Sequence, residues 1–322
     1  MTSMKKTLAQ LTLLALAWSL NAHAQPLPAT YRFVSGNPAG GTNDIITRIV
    51  ASKVAADLKA TTVVENVAGG SGLIAQAKLV TSPADGATLM VAGANQVLLD
   101  VVNGTDKMRE LAGLTGVAGI PLVLVGRRTL EPRSVDELVA FMRKSENRLT
   151  VGGGGSGTMP HMATALLQQR AGVTLSYVPY RGAPNMLPDL MGGHIDLAVL
   201  VLPAALSSIR DGSVRAYGLF SGERVTVAPD IPLLSESQAL NAINPLESWL
   251  AVYASARTPQ PLREKLGASL SGILQTPEVR AAIAKVGATP LAMDASAVSR
   301  KMEADAHLYR KLIKSNNLKF ER

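Results

Sequence analysis

The chain of 322 residues contains no cysteine. That absence excludes disulfides, thiolate metal sites, iron–sulfur clusters, cysteine nucleophiles and a lipid anchor on an N-terminal cysteine. Aromatic residues are scarce, at 4%, whereas a nucleic-acid surface needs a basic stripe interleaved with aromatics. The densest basic cluster, Arg310, Lys311, Lys314, Lys319 and Arg322, falls in the final helix and tail and reads as a solvated helix end; no nucleic-acid partner is expected. Histidine is rare as well. His161, His194 and His307 lie beyond the N-terminal segment, none at metal-ligand spacing from another, so no metal or cofactor is expected. Long apolar runs are missing too: beyond residue 24 no stretch approaches the roughly 20 residues a spanning helix requires.

What is present begins with a leader. Lys5 and Lys6 precede a mostly apolar run from Leu8 to Leu20, and Ala22-His23-Ala24 places small residues before Gln25, so residues 1–24 read as a cleavable export signal. The expected location is the periplasm. Removing that segment lowers the formal charge from +8 to +6, a modest excess that suits anionic solutes. The length fits two domains, and a 47% hydrophobic fraction argues against disorder.

Short β-branched runs alternate with helical patterns, which predicts α/β layering. Strands are expected at 31–35, 61–65, 88–92, 149–151, 175–178, 195–200, 214–220 and 249–254. Helices are expected at 43–58, 73–80, 135–144, 161–170, 186–191, 261–274 and 277–286. The apolar run Pro121–Val125 reads as a crossing into a second unit. Asp294 is a good N-cap for a last helix carrying Val298, Met302, Leu308, Leu312 and Ile313 inward. Between Ser221 and Pro245 the chain loses periodicity and gathers prolines, as a connector does.

Two glycine-rich turns, each between a strand and a helix start, carry the chemistry. The first runs through Gly36, Asn37, Pro38, Ala39, Gly40, Gly41, Thr42, Asn43 and Asp44. The second holds Gly152, Gly153, Gly154, Gly155, Ser156, Gly157, Thr158, Met159, Pro160 and His161. Glycine lets backbone approach a ligand closely, and first-turn helix amides lack intrahelical partners at the positive end of the dipole. Such turns hold a carboxylate or phosphate without a lysine. Gly152-x-Gly154-x-x-Gly157 also satisfies a dinucleotide fingerprint, but the next strand ends Tyr177-Val178-Pro179-Tyr180 without the required acid. Ser71 and Ser156 follow glycines yet lack the closing glycine of a nucleophile elbow. His161 reads as a capping or hydrogen-bonding residue, Asp44 as a cap or a partner for a ligand amine, and Arg48 and Arg181 as anion partners or solvated arginines. Asn95, Gln96 and Leu200 sit at expected strand ends, where solute selectivity is set.

Ordered motifs across the chain extend this reading. They are Ala39-Gly40-Gly41-Thr42-Asn43-Asp44-Ile45-Ile46-x-Arg48, Val63-Val64-Glu65-Asn66, Gly69-Gly70-Ser71-Gly72 and Pro83-Ala84-Asp85-Gly86. Gly155-x-Gly157-Thr158-x-Pro160-His161, Val178-Pro179-Tyr180-Arg181-Gly182, Asp189-Leu190-x-Gly192-Gly193-x-Ile195-Asp196, Pro229-Asp230-Ile231-Pro232 and Thr258-Pro259 follow. In these the chain resembles the Bug-type periplasmic solute receptors of tripartite tricarboxylate transporters. The resemblance implies a type II-like periplasmic binding protein: two α/β domains joined by crossing strands, with a ligand cleft between them. It implies a small carboxylate solute held by the two turns, with Ala39, Gly40, Gly41 and Asp44 on one side and Gly155, Gly157, Thr158 and His161 on the other. Membrane components of the tripartite type are the implied partners, and a sensor kinase is the further partner it allows. Gly36 and Asn37 stand where the family usually has proline and an aromatic, and Gly152-Gly153 where it has a Gly-Ser pair.

The expected organisation is a signal at 1–24, a discontinuous first domain of 25–125 plus 246–322, and a second domain of 126–245 that includes the connector. The leading expectation is a non-enzymatic periplasmic receptor that closes over a small organic acid. The rivals are an exported interaction or sensor-input protein and an enzyme on the same frame.

Overall fold

The computed structural model describes residues 26–144 and 149–320; the leader lies outside them. The first βα series is β1 (Thr30–Ser35), α1 (Thr42–Leu58), β2 (Thr61–Asn66), α2 (Leu73–Thr81), β3 (Thr88–Gly93) and α3 (Ala94–Asn103). A single long strand, β4 (Leu111–Arg127), leads to α4 (Val135–Lys144), β5 (Thr150–Gly153), α5 (Met159–Ala171), β6 (Ser176–Pro179) and α6 (Ala183–Gly192). Then come β7 (Leu197–Val201), α7 (Leu202–Arg210) and β8 (Val214–Leu219). After the connector, β9 (Glu247–Ser255) precedes α8 (Gln260–Leu274), α9 (Pro277–Lys285), the short β10 (Thr289–Pro290) and α10 (Ala295–Ser315).

The strands form one curled path in the order β2-β1-β3-β9-β4-β7-β5-β6, with β8 and β10 also paired to β4. β4 changes partners along its length. From Leu111 to Pro121 it runs antiparallel to β9, and from Leu122 to Gly126 antiparallel to β7. β8 covers its other edge from Val123 to Arg127. The predicted crossing at 121–125 thus lies inside a strand of 17 residues, whose buried centre explains its unbroken apolar run. β1, β2 and β3 pair in parallel, as do β5, β6 and β7, so each half carries its own parallel sheet with βα turns at one end.

Two helices were not legible in the sequence. α3 carries Val97, Leu98, Leu99, Val101 and Val102 as a near-continuous apolar run, which hides its period; the structure places Asn95 and Gln96 in its first turn rather than at a strand end. α7 has Pro203 at its second position, where the missing amide costs nothing. In α10 the inward stripe is Val298, Asp305, Tyr309 and Leu312, while Leu308 is 39% exposed. The expected inward place of Leu308 is corrected by helical geometry: at 3.6 residues per turn Asp305 and Tyr309 fall about 20° from Val298 around the helix, and Leu308 about 80° away. Asp305 is buried because it accepts from the Trp249 indole at 2.6 Å and from Lys301. Asp294 caps the helix as expected, accepting from the Ala297 amide at 2.7 Å.

β3 and β9 approach so closely at Gly93 that a Cβ there would overlap the Trp249 carbonyl. Gly93→Ala should therefore destabilise the fold by about 3 kcal/mol. Gly272, in α8 with nothing near its missing Cβ, is the control: Gly272→Ala should stabilise by about 0.5–1 kcal/mol. Urea denaturation of both variants checks the pair; equal midpoints would contradict the packing.

Candidate functional site

The ends of β1, β5 and β7 and the turns that follow them converge on a cavity of about 550 Å³. Its floor of Met186, Val199, Leu200, Val201 and Ala204 is apolar. Its polar rim includes Asn37, Thr42, Ser71, Asn95, Thr158 and Ser248. Of the expected site residues, Asn37, Pro38, Gly41, Thr42, Asn95, Gly153, Gly154, Gly155, Thr158 and Leu200 line it. Ala39, Gly40, Asn43, Asp44, Gln96, Ser156, Gly157 and His161 stand outside the lining, and most are supports.

The first turn is built on Asp44. Its carboxylate accepts from the Gly40 amide at 2.9 Å, from Arg48 at 3.0 Å and from the Asn66 amide at 2.8 Å. Asn66, at the end of β2, also donates to the Asn37 carbonyl at 3.1 Å. Burial alone would raise the Asp44 pKa, but the bonds from Arg48, Asn66 and Gly40 outweigh it and hold the carboxyl below its ordinary value. Asn43 turns toward the sheet and donates to the Val91 carbonyl at 3.1 Å. What this turn leaves open is Thr42. Its hydroxyl is buried without a partner, at the first residue of α1 and on the cavity wall, beside first-turn amides that have no intrahelical acceptor.

A third glycine turn, Gly69-Gly70-Ser71-Gly72, expected only as a family motif and an incomplete nucleophile elbow, forms a wall of the cavity. Ser71 takes a left-handed φ of 54°, a conformation that costs a non-glycine residue about 1 kcal/mol or more. Gln96 holds it there: its amide donates to the Ser71 carbonyl at 3.2 Å while its oxygen accepts from the Gly93 amide at 3.2 Å. Gln96 is a strut between α3 and this turn.

The second turn is largely self-satisfied. Thr158 donates its hydroxyl to the Gly155 carbonyl at 2.7 Å, and its amide donates to the same oxygen at 3.2 Å. The Gly157 amide donates to His161 Nδ1 at 3.2 Å. The Met159 amide, at the start of α5, donates to Asn95 Oδ1 at 2.8 Å, so a residue of α3 caps a helix across the cleft. The glycines here serve packing: a Cβ on Gly152 would strike Ile195 and Met186, and one on Gly155 would lie 2.7 Å from Ser71 Oγ. That crowding explains a glycine run without a dinucleotide.

His161 stacks on Tyr177 at 4.1 Å between ring centroids and meets the edge of Phe320 at 5.0 Å. Burial pushes its pKa down to about 4, so the ring stays neutral and Nδ1 remains an acceptor. Tyr180, Arg181 and Gly182 complete the lining; Tyr180 is pinned by its amide to the Gly153 carbonyl at 2.8 Å and by its hydroxyl to Asp189 at 2.6 Å. Among the described residues no group of histidine, aspartate and glutamate could hold a metal ion, and no helix is long and apolar enough to cross a membrane.

A cleft between two α/β halves, walled by backbone turns and closed by cross-cleft bonds, defines a two-lobed solute-binding protein. Residues 46–318 match the family described as tripartite tricarboxylate transporter family receptor. A protein of Agrobacterium vitis, described as a UPF0065 protein in the TAR-I ttuE-ttuC' intergenic region, is 30% identical over 281 residues, covering 85% of this chain and 81% of its own. BugT of Bordetella pertussis is 30% identical over 259 residues, covering 79% of each chain. The solved periplasmic binding protein BugD superposes with a TM-score of 0.82 at 25% identity, over 90% of this chain and 98% of its own. The chain belongs to the tripartite tricarboxylate transporter receptor family, a family of periplasmic solute-binding proteins.

Two tests follow from this geometry. Asn95→Ala should uncap α5 at a cost of about 1 kcal/mol and enlarge the radius of gyration of the unliganded protein by weakening the cross-cleft contact. X-ray scattering showing no change would remove Asn95 from that role. For His161 the folded pKa lies below the unfolded value of about 6.5, so the unfolded chain takes up the proton first. Stability is then lost as pH falls from about 6.5 toward about 4. His161→Gln should flatten that slope in pH-dependent urea melts.

Proposed function

We propose that the protein is an exported receptor that captures a small organic acid in this cleft and presents it to a tripartite tricarboxylate-type membrane transporter. The carrying observation is Thr42: a buried hydroxyl without a partner at a helix start, in a residue that lines a cavity with no lining carboxylate. A solute carboxylate there would accept from the hydroxyl and from the first-turn amides, with the helix dipole favouring its charge. The first turn's rigid mount on Asp44 and Asn66 prepares that arrangement before the solute arrives.

Capture acts through differential affinity for the closed state. In this reading the moving units are residues 25–125 with 246–322 and residues 126–245. The partner switch of β4 at Pro121 and Leu122 supports that division. Export would rest on the segment 1–24, and a sensor kinase reading the closed form is the second partner this proposal admits. The function is binding without bond making. The lining residues include no aspartate, glutamate or histidine, so the hydroxyls of Ser71 and Ser248 have no general base beside them.

Native mass spectrometry of the purified protein should show a bound small acid, and a carboxylate panel should raise Tm by mass action. Thr42→Val should lower affinity for the bound acid by about tenfold or more. Its Tm without solute should be equal or higher, because the lost hydroxyl has no partner in the empty site. An unchanged affinity in Thr42→Val would move the carboxylate elsewhere.

A further inference from the structure

The segment after α10 is held against the protein. α10 itself stands on the β9 side of β4. The Met293 carbonyl, just before its cap, accepts from the Gly116 amide of β4 at 2.9 Å, and Asp305 accepts from the Trp249 indole of β9. The helix also packs on α3. At its end Asn317 takes a left-handed φ of 47°, and the Leu318 amide donates back to the Ile313 carbonyl at 3.0 Å. That hydrogen-bonded stop turns the chain sharply off the helix. Leu318 and Phe320 then lie half-buried against the core.

What Phe320 reaches is the other half of the molecule. His161 stands in the first turn of α5, a helix that packs on β5 and β7. Phe320 meets this imidazole with 85° between the ring planes, and Tyr177 stacks on its face at 18°. The two rings confine it on two sides. Its orientation matters because Nδ1 accepts from the Gly157 amide; turned over, the ring would present a carbon there. Burial keeps the imidazole neutral, and only a neutral ring can accept at Nδ1. Tyr177 holds the other end of the same turn, its hydroxyl donating to the Gly154 carbonyl at 2.6 Å. Gly154, Gly155 and Thr158 of that turn line the cavity.

Asn95 caps the Met159 amide two residues before His161, and α3, which carries Asn95, packs against α10. The β9 half thus touches the first turn of α5 twice, with a polar cap from α3 and an aromatic ring from the segment after α10. The cap fixes the helix start. The ring fixes the side chain that holds the glycine turn. We propose that Phe320 is a positioning residue for the solute site: from the β9 half it steadies His161 and, through the Gly157 amide, sets the second glycine turn for binding. This rests on the reading of the cleft as a solute site. A turn already steadied costs less to order when solute arrives.

The experiment compares the whole protein with Phe320→Ala and Phe320→Tyr. Phe320 is half-buried and outside the helices, so both variants should fold. Without solute, amide-resolved hydrogen exchange at Gly157 should quicken by about three- to tenfold in Phe320→Ala. Exchange at Leu270, buried in α8, should stay unchanged. Phe320→Tyr keeps the ring and should restore protection at Gly157. Titration calorimetry with succinate and benzoate as probe acids should show Phe320→Ala weakening whichever binds the wild type by a similar factor, with Phe320→Tyr close to wild type. Quickening at Gly157 and Leu270 alike would reduce Phe320 to general stability and overturn the proposal. So would unchanged exchange at Gly157, or a Gly157 amide released with no loss of affinity. Failure of both probes to bind the wild type would count against the carboxylate reading alone, and exchange at Gly157 would still decide the positioning role.

Discussion

The backbone ladder of β4 is the constraint from which the rest of the molecule follows. A 17-residue strand satisfies its amides and carbonyls against β9 along one part and against β7 and β8 along the other. Buried backbone groups must be paired, so each part of β4 requires neighbours and each set of neighbours grows into its own βα series. The turns at the strand ends of both series then face one another. The cleft is the space between them, and its position is set by where β4 changes partners.

Around that space, most of the polar residues act on the turns. Asp44, Asn66 and Asn43 fix the first turn, Gln96 fixes the strained Ser71, and His161 and Thr158 fix the second. Few donors remain for a solute, and those few are buried or held by a rigid base. This is the arrangement that keeps ordering cost low on binding. The contacts that cross the cleft, Asn95 to Met159 and Ser71 beside Gly155, tie the same turns to closure.

The second glycine turn shows how a motif can be read correctly for place and differently for role. Its glycines fall at a strand-to-helix junction beside the cavity, as their spacing suggests. Their missing side chains, however, make room for Met186, Ile195 and Ser71, and the amides of Gly157, Thr158 and Met159 are taken within the protein. On the first turn, by contrast, the Thr42 hydroxyl has no partner. Sequence spacing reports that backbone comes close to something; it does not report whether that something is solute or another part of the chain.

Local pattern determined much of this protein. Periodicity marked the first three strands, α1, α2, most of the second βα series and the helices after β9, because amphipathic faces and turn residues are local properties. The Asp294 cap, the two glycine turns and the family motifs were legible for the same reason. Tertiary structure alone decided the rest. α3 was masked by an apolar run buried against α10, and Asp305 rather than Leu308 faces inward because Trp249, far away in sequence, supplies a donor. Ser71, Tyr180 and Arg181 reach the cavity only because β2 and β6, which they follow, end level with β1 and β5. Which polar groups are spent on the fold and which are left for a solute depends on partners dozens of residues away, and no local pattern carries that information.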